Sequence, residues 1–489
     1  MDICKHKELC GGCIHQGKSY EQQLEEKGND VSMLISKKEI KVGEYLGIQG
    51  SPAQYRYRNK MEYTFGDTVK DGPLCLGMHR KKHFMSIVTV DECQLVPEDF
   101  NRILSAVLGF CQEKGYSFYH KKSHEGLLRH LIIRYGVRTG ELLVNIVTSS
   151  QGEFDDKGFT EMITALELDN RVVGVLRTIN DRLADAVYCE ELKVLWGRDY
   201  YMEKIMGLDF KVSAFSFFQT NVEAAERLYT EAIDLIDDFE DKNVFDLYCG
   251  TGTITQALAL KAKTVTGVEL VSEAVEAAKE NAKLNGLDNC RFIAGDVFEV
   301  LEKLEQKPDV IVVDPPRVGI HPKALDKILG YGVKQIVYIS CNPKSLTDNL
   351  MYIQGNGYEV KKIKAFDNFP MTKHVESIVL LSHKSPDSHI DVKVEFGEGE
   401  EKVPLDKIAE RAKQYQPDPR VTYKMIQEYI EEKYGFKVHT AYIAEVKRNL
   451  GLPMYDAPNM VEELKQPRRH PTAEKVEAIK DALKHFGVI

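Results

Sequence analysis

The strongest constraint on the fold is a regular alternation of strand-like and helical segments between residues 217 and 382. Short apolar runs are separated there by amphipathic segments of helical period. This alternation is typical of a doubly wound α/β fold, in which a mainly parallel sheet carries helices on both faces. Because the carboxyl ends of parallel strands meet at one edge, polar side chains that follow these runs are expected to share a crevice. The predicted strands cover residues 244–248, 265–269, 291–294, 310–313, 335–339 and 377–381.

The chain has a different character on either side of this α/β segment. Residues from about 127 to 210 are mostly strand-like, and residues 383–419 contain the Ser-Pro, Gly-Glu and Pro-Asp-Pro stretches of a linker. Two short helical segments follow, with Lys447 and Arg448 on the second, and the pair resembles a helix-turn-helix. We therefore predict four regions, at residues 1–98, 99–212, 213–384 and 385–489.

The bulk composition limits the classes of protein that this chain can be. Of its 489 residues, 43% are hydrophobic and 29% charged, a balance that is ordinary for globular proteins. No apolar run is long enough to cross a bilayer and the first residues lack a signal-peptide pattern, so we expect a cytoplasmic protein without a membrane partner. The ten cysteines are then expected to be reduced, and to serve as ligands, nucleophiles or core residues rather than disulfides.

Nucleic acid is a candidate partner despite the net charge of −10. That charge argues against non-specific coating of nucleic acid. Cationic clusters nevertheless occur in the first quarter of the chain, and such cations bind phosphates while neighbouring aromatic rings stack on unpaired bases. Any one cluster is better explained by a solvated loop or strand face, but three in the first quarter of an acidic chain favour a nucleic-acid partner. The clusters are Arg56, Arg58 and Lys60 with Tyr55 and Tyr57, then residues 79–83, and residues 120–122.

A glycine-rich loop marks a candidate nucleoside pocket. The sequence Asp-Leu-Tyr-Cys-Gly-Thr-Gly-Thr at residues 246–253 ends the first predicted strand and begins a helix, where glycines let the backbone approach a ligand closely. It is not the GxGxxG dinucleotide fingerprint, and it lacks a P-loop lysine. Glu269 ends the next strand, where a carboxylate can bind both ribose hydroxyls, and Asp296 follows the third strand within reach of a base edge. This spacing resembles that of S-adenosylmethionine-dependent methyltransferases.

Two further polar segments follow strands of the same predicted sheet. Asp-Pro-Pro-Arg at residues 314–317 is stiffened by two prolines, and Ser-Cys-Asn-Pro at residues 340–343 places the Cys341 thiol at the crevice. A buried cysteine often only packs, and the proline-rich segment could be a rigid surface turn. Their occurrence beside a nucleoside pocket favours a single functional site.

With these residues together, the chain resembles the RNA (uracil-5-)-methyltransferase family, and within it the iron–sulfur branch that modifies 23S ribosomal RNA. The resemblance covers residues 4–382 and leaves the C-terminal helical module outside. It implies a cluster-binding N-terminal region, a central RNA-binding domain and a class I Rossmann-like methyltransferase domain. The motifs that carry it lie in order at residues 4–13, 51–59, 91–93, 217–221, 246–253, 314–317, 340–343 and 369–376.

The resemblance also implies roles for single residues. Cys341 falls at the position of the family's nucleophile and Glu376 at that of its general base. A thiolate that adds to C6 of uracil makes C5 nucleophilic enough to take a methyl group, and a base then removes the C5 proton before the thiol leaves. Asp314 is also a candidate to hydrogen-bond the uracil, whereas Cys249 is expected to pack. The positions that match the binding site for S-adenosylmethionine are Gln219, Tyr248, Glu269 and Asp314, and less closely Thr253 and Asp296.

The cysteines near the N-terminus are a candidate metal site. Cys4, Cys10, Cys13 and Cys93 could hold zinc or an iron–sulfur cluster, and composition does not choose between them. The two glycines between Cys10 and Cys13 allow a tight turn with amides near sulfur, which suits a cluster. The resemblance implies a [4Fe–4S] cluster, for which we expect a structural or RNA-positioning role because the methylation needs no electron transfer.

Three functions are compatible with this sequence. The leading hypothesis is a monomeric enzyme that makes 5-methyluridine in 23S ribosomal RNA; the others are the same reaction on transfer RNA and a non-catalytic RNA-binding assembly factor. The four N-terminal cysteines favour ribosomal RNA, because the transfer RNA branch generally lacks the cluster. Cys341 and Glu376 argue against an assembly factor. Since Cys4 lies almost at the start, we expect no N-terminal RNA-binding barrel of the kind that many relatives carry.

Overall fold

The computed structural model describes residues 3–184, 186–384, 423–450 and 471–486. By its internal contacts the chain divides into two compact units, residues 1–389 and residues 390–489. No helix in the described ranges is long and apolar enough to cross a membrane. The helices are α1 (Tyr20–Lys37), α2 (Glu98–Glu113), α3 (Asp156–Thr164), α4 (Val222–Asp234), α5 (Thr253–Ala259), α6 (Ser272–Leu284), α7 (Val297–Lys303), α8 (Pro322–Gly330), α9 (Pro343–Gly355), α10 (Tyr423–Tyr434), α11 (Thr440–Asn449) and α12 (Ala473–His485).

The strands form two large sheets and one hairpin in the first unit. They are β1 (Val42–Gln49), β2 (Lys60–Gly66), β3 (Cys75–Arg80), β4 (His83–Thr89), β5 (Leu128–Gly136), β6 (Glu141–Thr148), β7 (Arg171–Ile179), β8 (Glu191–Gly197), β9 (Tyr200–Ile205), β10 (Leu208–Ser213), β11 (Asn243–Leu247), β12 (Thr264–Glu269), β13 (Cys290–Ala294), β14 (Val310–Val313), β15 (Gln335–Ser340), β16 (Tyr358–Phe366) and β17 (Glu376–His383).

The larger sheet confirms the predicted α/β fold. Its strand order is β1-β16-β17-β15-β14-β11-β12-β13, in which β17 runs antiparallel to both neighbours and the other pairings are parallel. Helices cover both faces, since successive residues of β11, Val244 and Phe245, lie in separate apolar clusters. This burial on both faces explains why the parallel strands are nearly continuous apolar runs.

Two strands of this sheet were not predicted from the sequence. β16 precedes the antiparallel β17, and β1 pairs parallel with β16, so that Val42 lies opposite Val360. The N-terminal region therefore contributes one strand to the sheet of the α/β segment, whereas β2, β3 and β4 belong to the second sheet. The four domain boundaries stay a prediction.

The second sheet forms the β-rich central part of the chain. Its order is β4-β3-β2-β5-β6-β7-β8, and one face packs through Tyr63, Leu131 and Val144 against α2 and α3. Leu143 and Leu176, on the opposite face, join the apolar cluster that continues into the α/β segment. The two sheets thus share one core within the first unit.

The second unit is a helical module, as the sequence suggested, and its described residues, 423–450 and 471–486, form one helix more than the predicted pair. α10, α11 and α12 pack around Ile430, Ile443 and Ile479. The Asp481 carboxylate on α12 accepts hydrogen bonds from the Tyr429 hydroxyl and the Lys433 ammonium group of α10. The likeness to a helix-turn-helix stays a prediction.

A buried ion pair ties α1 to the loop that leads into β17. Lys27 Nζ donates to Asp367 Oδ1 at 2.6 Å and to the Phe369 carbonyl at 3.2 Å. The two charged side chains are only 2% and 0% exposed. Because water cannot replace either partner there, the pair holds the loop in one position.

The same loop is also held at Met371 by the segment that follows Cys13. Met371 has a left-handed backbone with φ of 68°, a conformation that non-glycine residues adopt only when their surroundings hold it. Its carbonyl accepts hydrogen bonds from the amides of Ile14 and His15, and its own amide donates to Gln23 Oε1. The N-terminal cysteine segment and α1 therefore brace the residues just before β17.

Replacing Lys27 with methionine should destabilise the first unit strongly. The substitution keeps the length of the side chain but leaves the Asp367 carboxylate buried without its cation, a change that typically costs roughly 3–5 kcal/mol. Urea denaturation followed by circular dichroism measures the effect. The control is Lys18→Met. It removes an exposed ion pair between Lys18, which precedes α1, and Glu26 of α1, and it should change the midpoint little. Equal midpoints for the two variants would contradict the anchoring role of Lys27.

Candidate active site

The antiparallel pairing of β15 and β17 brings two predicted catalytic residues together. Ser340, the last residue of β15, lies opposite Ser377, the second residue of β17. Cys341 follows Ser340 and Glu376 begins β17, so the thiol and the carboxylate stand at the same edge of the sheet. Glu376 is only 8% exposed and Cys341 is half-buried.

Three carboxylates are buried at this edge. Asp246 lies within β11, one residue before its end, Asp314 follows β14, and Glu376 begins β17. Burial raises the pKa of each. The pKa of Glu376 rises to about 7, a shift that the nearby Arg317 guanidinium partly opposes. The charges of Glu376 and Asp246 add to burial in raising the pKa of Asp314 well above its usual range. Like charges this close do not all ionise together, so burial and mutual repulsion both favour the protonated form of Asp314.

The Cys341 thiol is protonated in the free protein. Burial, followed by the charges of Glu376 and Asp314, raises its pKa to about 11, and the Arg317 guanidinium opposes this rise. The thiol also directly precedes the N-terminus of α9, whose N-cap is Asn342, and such a position favours a thiolate. The site therefore holds a proton acceptor, Glu376, and a cation, Arg317, near the Cys341 thiol. The thiol must lose its proton before it can act as a nucleophile.

The loop that carries Arg317 is fastened to the start of α9. The Arg317 carbonyl accepts hydrogen bonds from Asn342 Nδ2 at 2.8 Å and from Ser345 Oγ at 3.0 Å. Its guanidinium contacts His374 Nδ1 at 2.7 Å. The Asp-Pro-Pro-Arg turn is thus joined both to the segment of Cys341 and to the segment of Glu376.

The glycine-rich loop forms an open cradle beside Glu269. Gly250 has a φ of 54°, and a Cβ atom built there would meet no heavy atom within 4 Å. The two oxygens of Glu269 accept hydrogen bonds from the amides of Gly250 and Val271, each at 3.0 Å, which keeps a carboxylate at the rim of the cradle. Leu270 is 67% exposed beside it. An open backbone, a fixed carboxylate and an apolar side chain fit the ribose and base of a nucleoside.

The less closely matched positions have partly structural roles. Asp296 Oδ1 caps α7 by accepting a hydrogen bond from the Phe298 amide at 2.9 Å, a role that the sequence reasoning did not identify. Burial and the charge of Asp296 raise the pKa of Tyr248 to about 12, which places these two side chains near each other. Thr253 is the first residue of α5.

Gln219 is held between the second sheet and α4. Its carbonyl accepts a hydrogen bond from Asn59 Nδ2 at 3.2 Å, and the Asn59 amide donates to the next carbonyl, that of Thr220. Its side-chain nitrogen Nε2 donates to the Tyr229 hydroxyl at 2.8 Å. The residue therefore has a fixed backbone and one fixed side-chain contact.

Asp246 is a buried acid that the sequence reasoning did not select. It is 0% exposed; its Oδ2 accepts a hydrogen bond from Thr255 Oγ1 at 2.5 Å, and its Oδ1 has no hydrogen-bond partner in the described part of the chain. Burial raises its pKa to about 7. The signal was present, because an acid between Phe245 and Leu247 interrupts an apolar strand directly before the glycine-rich loop.

The four N-terminal cysteines lie close enough to influence one another. Burial and then the thiols of Cys93, Cys10 and Cys4 raise the pKa of Cys13 to about 12. The Gly12 amide donates to Cys10 Sγ at 3.4 Å. Among the described residues, however, no group of three or more His, Cys, Asp or Glu side chains is placed to hold a metal ion.

The fold and the cradle define a class of enzyme. An α/β sheet with a glycine-rich loop after one strand and a ribose-binding carboxylate after the next belongs to S-adenosylmethionine-dependent methyltransferases. The predicted fold class and methyl donor are confirmed by the comparisons with known proteins that follow.

Residues 19–384 match the family model described as tRNA (uracil-5-)-methyltransferase. An uncharacterised RNA methyltransferase of Clostridium tetani is 50% identical over 375 residues, which are 77% of this chain and 82% of that protein. Another from Caldanaerobacter subterraneus is 51% identical over 380 residues, covering 77% and 84%. The chain therefore belongs to the RNA (uracil-5-)-methyltransferase family, and it is an RNA methyltransferase.

A solved structure supports the same conclusion. The Pyrococcus abyssi tRNA (uracil-54, C5)-methyltransferase in complex with S-adenosyl-L-homocysteine has a TM-score of 0.63 and 27% identity. The match covers 76% of this chain and 86% of that one. The predicted family is thus confirmed, whereas the iron–sulfur branch and the individual site residues stay predictions.

Replacing Glu376 with glutamine should stabilise the protein at pH 8 and change its stability little at pH 4.5. The pKa of Glu376 in the folded protein, about 7, exceeds its ordinary value of 4.5, so the folded state binds this proton more tightly than the unfolded chain. The stability of the wild type therefore falls as the pH rises from 4.5 to 7, by roughly 2–3 kcal/mol from this group.

The measurement is urea denaturation of both proteins at the two pH values. Glu276→Gln, an exposed position on α6, is the control and should show no such pH dependence. A Glu376→Gln variant that is less stable than the wild type at pH 8 would contradict the burial of an ionised carboxylate.

Proposed function

We propose that this protein methylates C5 of a uridine in 23S ribosomal RNA through a covalent bond between Cys341 Sγ and C6 of the base. The observation that carries the proposal is the juxtaposition of the Cys341 thiol and the Glu376 carboxylate, whose charge contributes to raising the pKa of the thiol. This pair supplies the nucleophile and the base that the chemistry needs.

The cradle would hold the methyl donor. S-adenosylmethionine supplies an electrophilic methyl group on a positive sulfur. Glu269 would bind the ribose hydroxyls, and Tyr248 and Asp296 would lie toward the base. Thr253 at the start of α5 and Gln219 beside α4 would contact the remainder of the donor.

Cys341 would start the reaction at the uracil ring. Its proton must first pass to the neighbouring Glu376 carboxylate and from there to solvent, which leaves Glu376 ionised again for its later role. The thiolate then adds to C6, and the electron pair of the C5–C6 double bond shifts toward C5 and O4. C5 takes the methyl group from the donor, with the released electron pair staying on the donor sulfur.

Glu376 would complete the reaction. Its carboxylate takes the proton from C5, the C5–C6 double bond re-forms, and the thiolate leaves C6. A carboxylate with a pKa near 7 suits this step, because it is ionised in part at neutral pH and remains basic enough to accept a proton. Burial, followed by the charges of Glu376 and Asp246, raises the pKa of Asp314, which would in its protonated form donate a hydrogen bond to a uracil carbonyl and stabilise the enolate.

Replacing Cys341 with alanine should abolish methylation of RNA while S-adenosyl-L-homocysteine still binds. The thiol forms the covalent intermediate, whereas the cradle for the donor contains no atom of this side chain. Transfer of a radioactive methyl group measures the first effect and calorimetry the second. Cys189→Ala, at an exposed cysteine, is the control. If Cys341→Ala complemented a deletion strain in full, a non-catalytic assembly role would replace the proposal.

The choice of 23S ribosomal RNA rests on the four N-terminal cysteines, which are typical of the ribosomal branch that the sequence resembles. A second candidate, transfer RNA, is favoured by the likeness to the Pyrococcus abyssi enzyme, a tRNA (uracil-54, C5)-methyltransferase. The two candidates share the same site and differ only in which RNA presents the uridine.

Mapping of 5-methyluridine by mass spectrometry distinguishes the two targets. Deleting the gene should remove 5-methyluridine from 23S ribosomal RNA and leave transfer RNA unchanged, and the wild-type gene but not its Cys341→Ala form should restore it. Loss of 5-methyluridine from transfer RNA alone would establish the second candidate instead.

We also propose that the four cysteines hold a [4Fe–4S] cluster. Their thiols lie near one another, and the amides of Leu95 and Val96 lie within hydrogen-bond reach of the Cys93 sulfur. Amide donors to sulfur are typical of cluster ligands. The cluster would join the N-terminal segment to the loop of Cys93, next to the amides that hold Met371.

Protein purified without oxygen should be brown and contain iron and sulfide in equal amounts. Cys93→Ser should lose the colour, because it removes one of the four thiolates, and Cys189→Ser should retain it. Absorption spectroscopy with iron and sulfide analysis measures this result. A colourless protein with one equivalent of zinc would show that the site holds a single ion.

A further inference from the structure

We propose that the Tyr229 hydroxyl positions the side-chain amide of Gln219 so that the Gln219 oxygen faces the methyl donor. The observation is the 2.8 Å hydrogen bond from Gln219 Nε2 to the Tyr229 hydroxyl. The inference rests on the proposed role of Gln219 in donor binding and adds a positioning residue on a different element, α4.

The contact is built into the fold. Tyr229 lies within α4 and is 3% exposed, in the apolar cluster that joins the two sheets. Gln219 stands three residues before the start of α4, where Asn59 fixes its backbone. Neither partner can move away from the other without disturbing α4 or β2, so the hydrogen bond constrains the side chain of Gln219.

The direction of the hydrogen bond follows from the neighbouring charges. Burial, then the charges of Asp314, Glu376 and Asp246, raise the pKa of Tyr229, so the phenol keeps its proton. The structure places Gln219 Nε2 2.8 Å from the phenol oxygen, which can accept a hydrogen bond while it carries its own hydrogen. The oxygen is then left to accept a hydrogen bond, and it is the Nε2 end of the Gln219 amide, not the Oε1 end, that can donate one.

The oxygen of the amide is thereby left for a ligand. Gln219 Oε1 makes no hydrogen bond to any residue that the structure describes, and Gln219 is half-buried at the edge of the site. An oxygen dipole held in this way interacts favourably with the positive sulfur of S-adenosylmethionine and less with the neutral sulfur of the product. Tyr229 therefore contributes to preferring the donor over its demethylated product.

The experiment measures binding rather than methylation. Calorimetry with the full chain gives the affinities for S-adenosylmethionine and for S-adenosyl-L-homocysteine in the wild type, Tyr229→Phe, Gln219→Ala and the double variant. Phenylalanine keeps the ring in the core and removes only the hydroxyl, which avoids the cavity that alanine would leave. The control is Tyr358→Phe, which removes a buried hydroxyl of β16 that donates to the Val333 carbonyl at 2.9 Å.

Tyr229→Phe should weaken the binding of S-adenosylmethionine by about fivefold to tenfold, the effect of one hydrogen bond, and the binding of the product by less. The double variant should bind no more weakly than Gln219→Ala alone, because Tyr229 acts through Gln219. Tyr358→Phe should bind both ligands as the wild type does. A role of Tyr229 in packing alone would give equal losses for the two ligands, additive with Gln219→Ala.

Two results would overturn the inference, and they are distinguishable. If Gln219→Ala weakens binding and Tyr229→Phe does not, Gln219 binds the donor without help from Tyr229. If neither substitution weakens binding, the proposed donor contact of Gln219 is also wrong. A wild-type protein that binds the donor but methylates no uridine would contradict the proposed function. The binding data would still decide whether Tyr229 positions Gln219.

Discussion

The register between β15 and β17 is the constraint on which the candidate site depends. β17 is antiparallel to β15, and Ser377 lies opposite Ser340. Glu376, the first residue of β17, therefore stands beside Cys341, which follows β15. A shift of one residue would turn Glu376 to the other face of the sheet and separate it from Cys341. The loop before β17 explains why the register holds, since the buried Lys27–Asp367 pair fixes it.

The same arrangement buries ionisable side chains, and burial disfavours their charged forms. Burial raises the pKa of Glu376 and of Asp246 to about 7 and that of the Cys341 thiol to about 11, and the charges of neighbouring acids add to the rise for Asp246 and Cys341. This cost to stability serves the proposed chemistry, since a base that titrates near neutral pH can both accept and release a proton. The Arg317 guanidinium is the cation that offsets part of the cost.

Much of the site could be predicted because it is encoded locally. Asp314, Cys341 and Glu376 each lie where an apolar strand meets polar residues, and in a parallel sheet such positions converge. Contacts between distant parts of the chain could not be predicted in this way. β1 pairs with β16 across more than 300 residues, and β16 carries three lysines that obscure its strand pattern. The contact of Tyr229 with Gln219 depends on how α4 is placed, which no local pattern reports. The cap formed by Asp296 is local, because an Asp directly before a helix is a typical N-cap.

In the proposed reaction, Cys341 forms a bond to the uridine, and Glu376 removes the C5 proton so that this bond can break. The direct measurement uses Glu376→Gln with S-adenosylmethionine and total RNA from a strain that lacks the gene, followed by denaturing electrophoresis and peptide mass spectrometry. An RNA–protein adduct that survives denaturation is expected, with a methylated uridine on the peptide that contains Cys341, because the C5 proton cannot be removed. No adduct, or an adduct on the peptide of Cys249, would contradict these roles of Cys341 and Glu376.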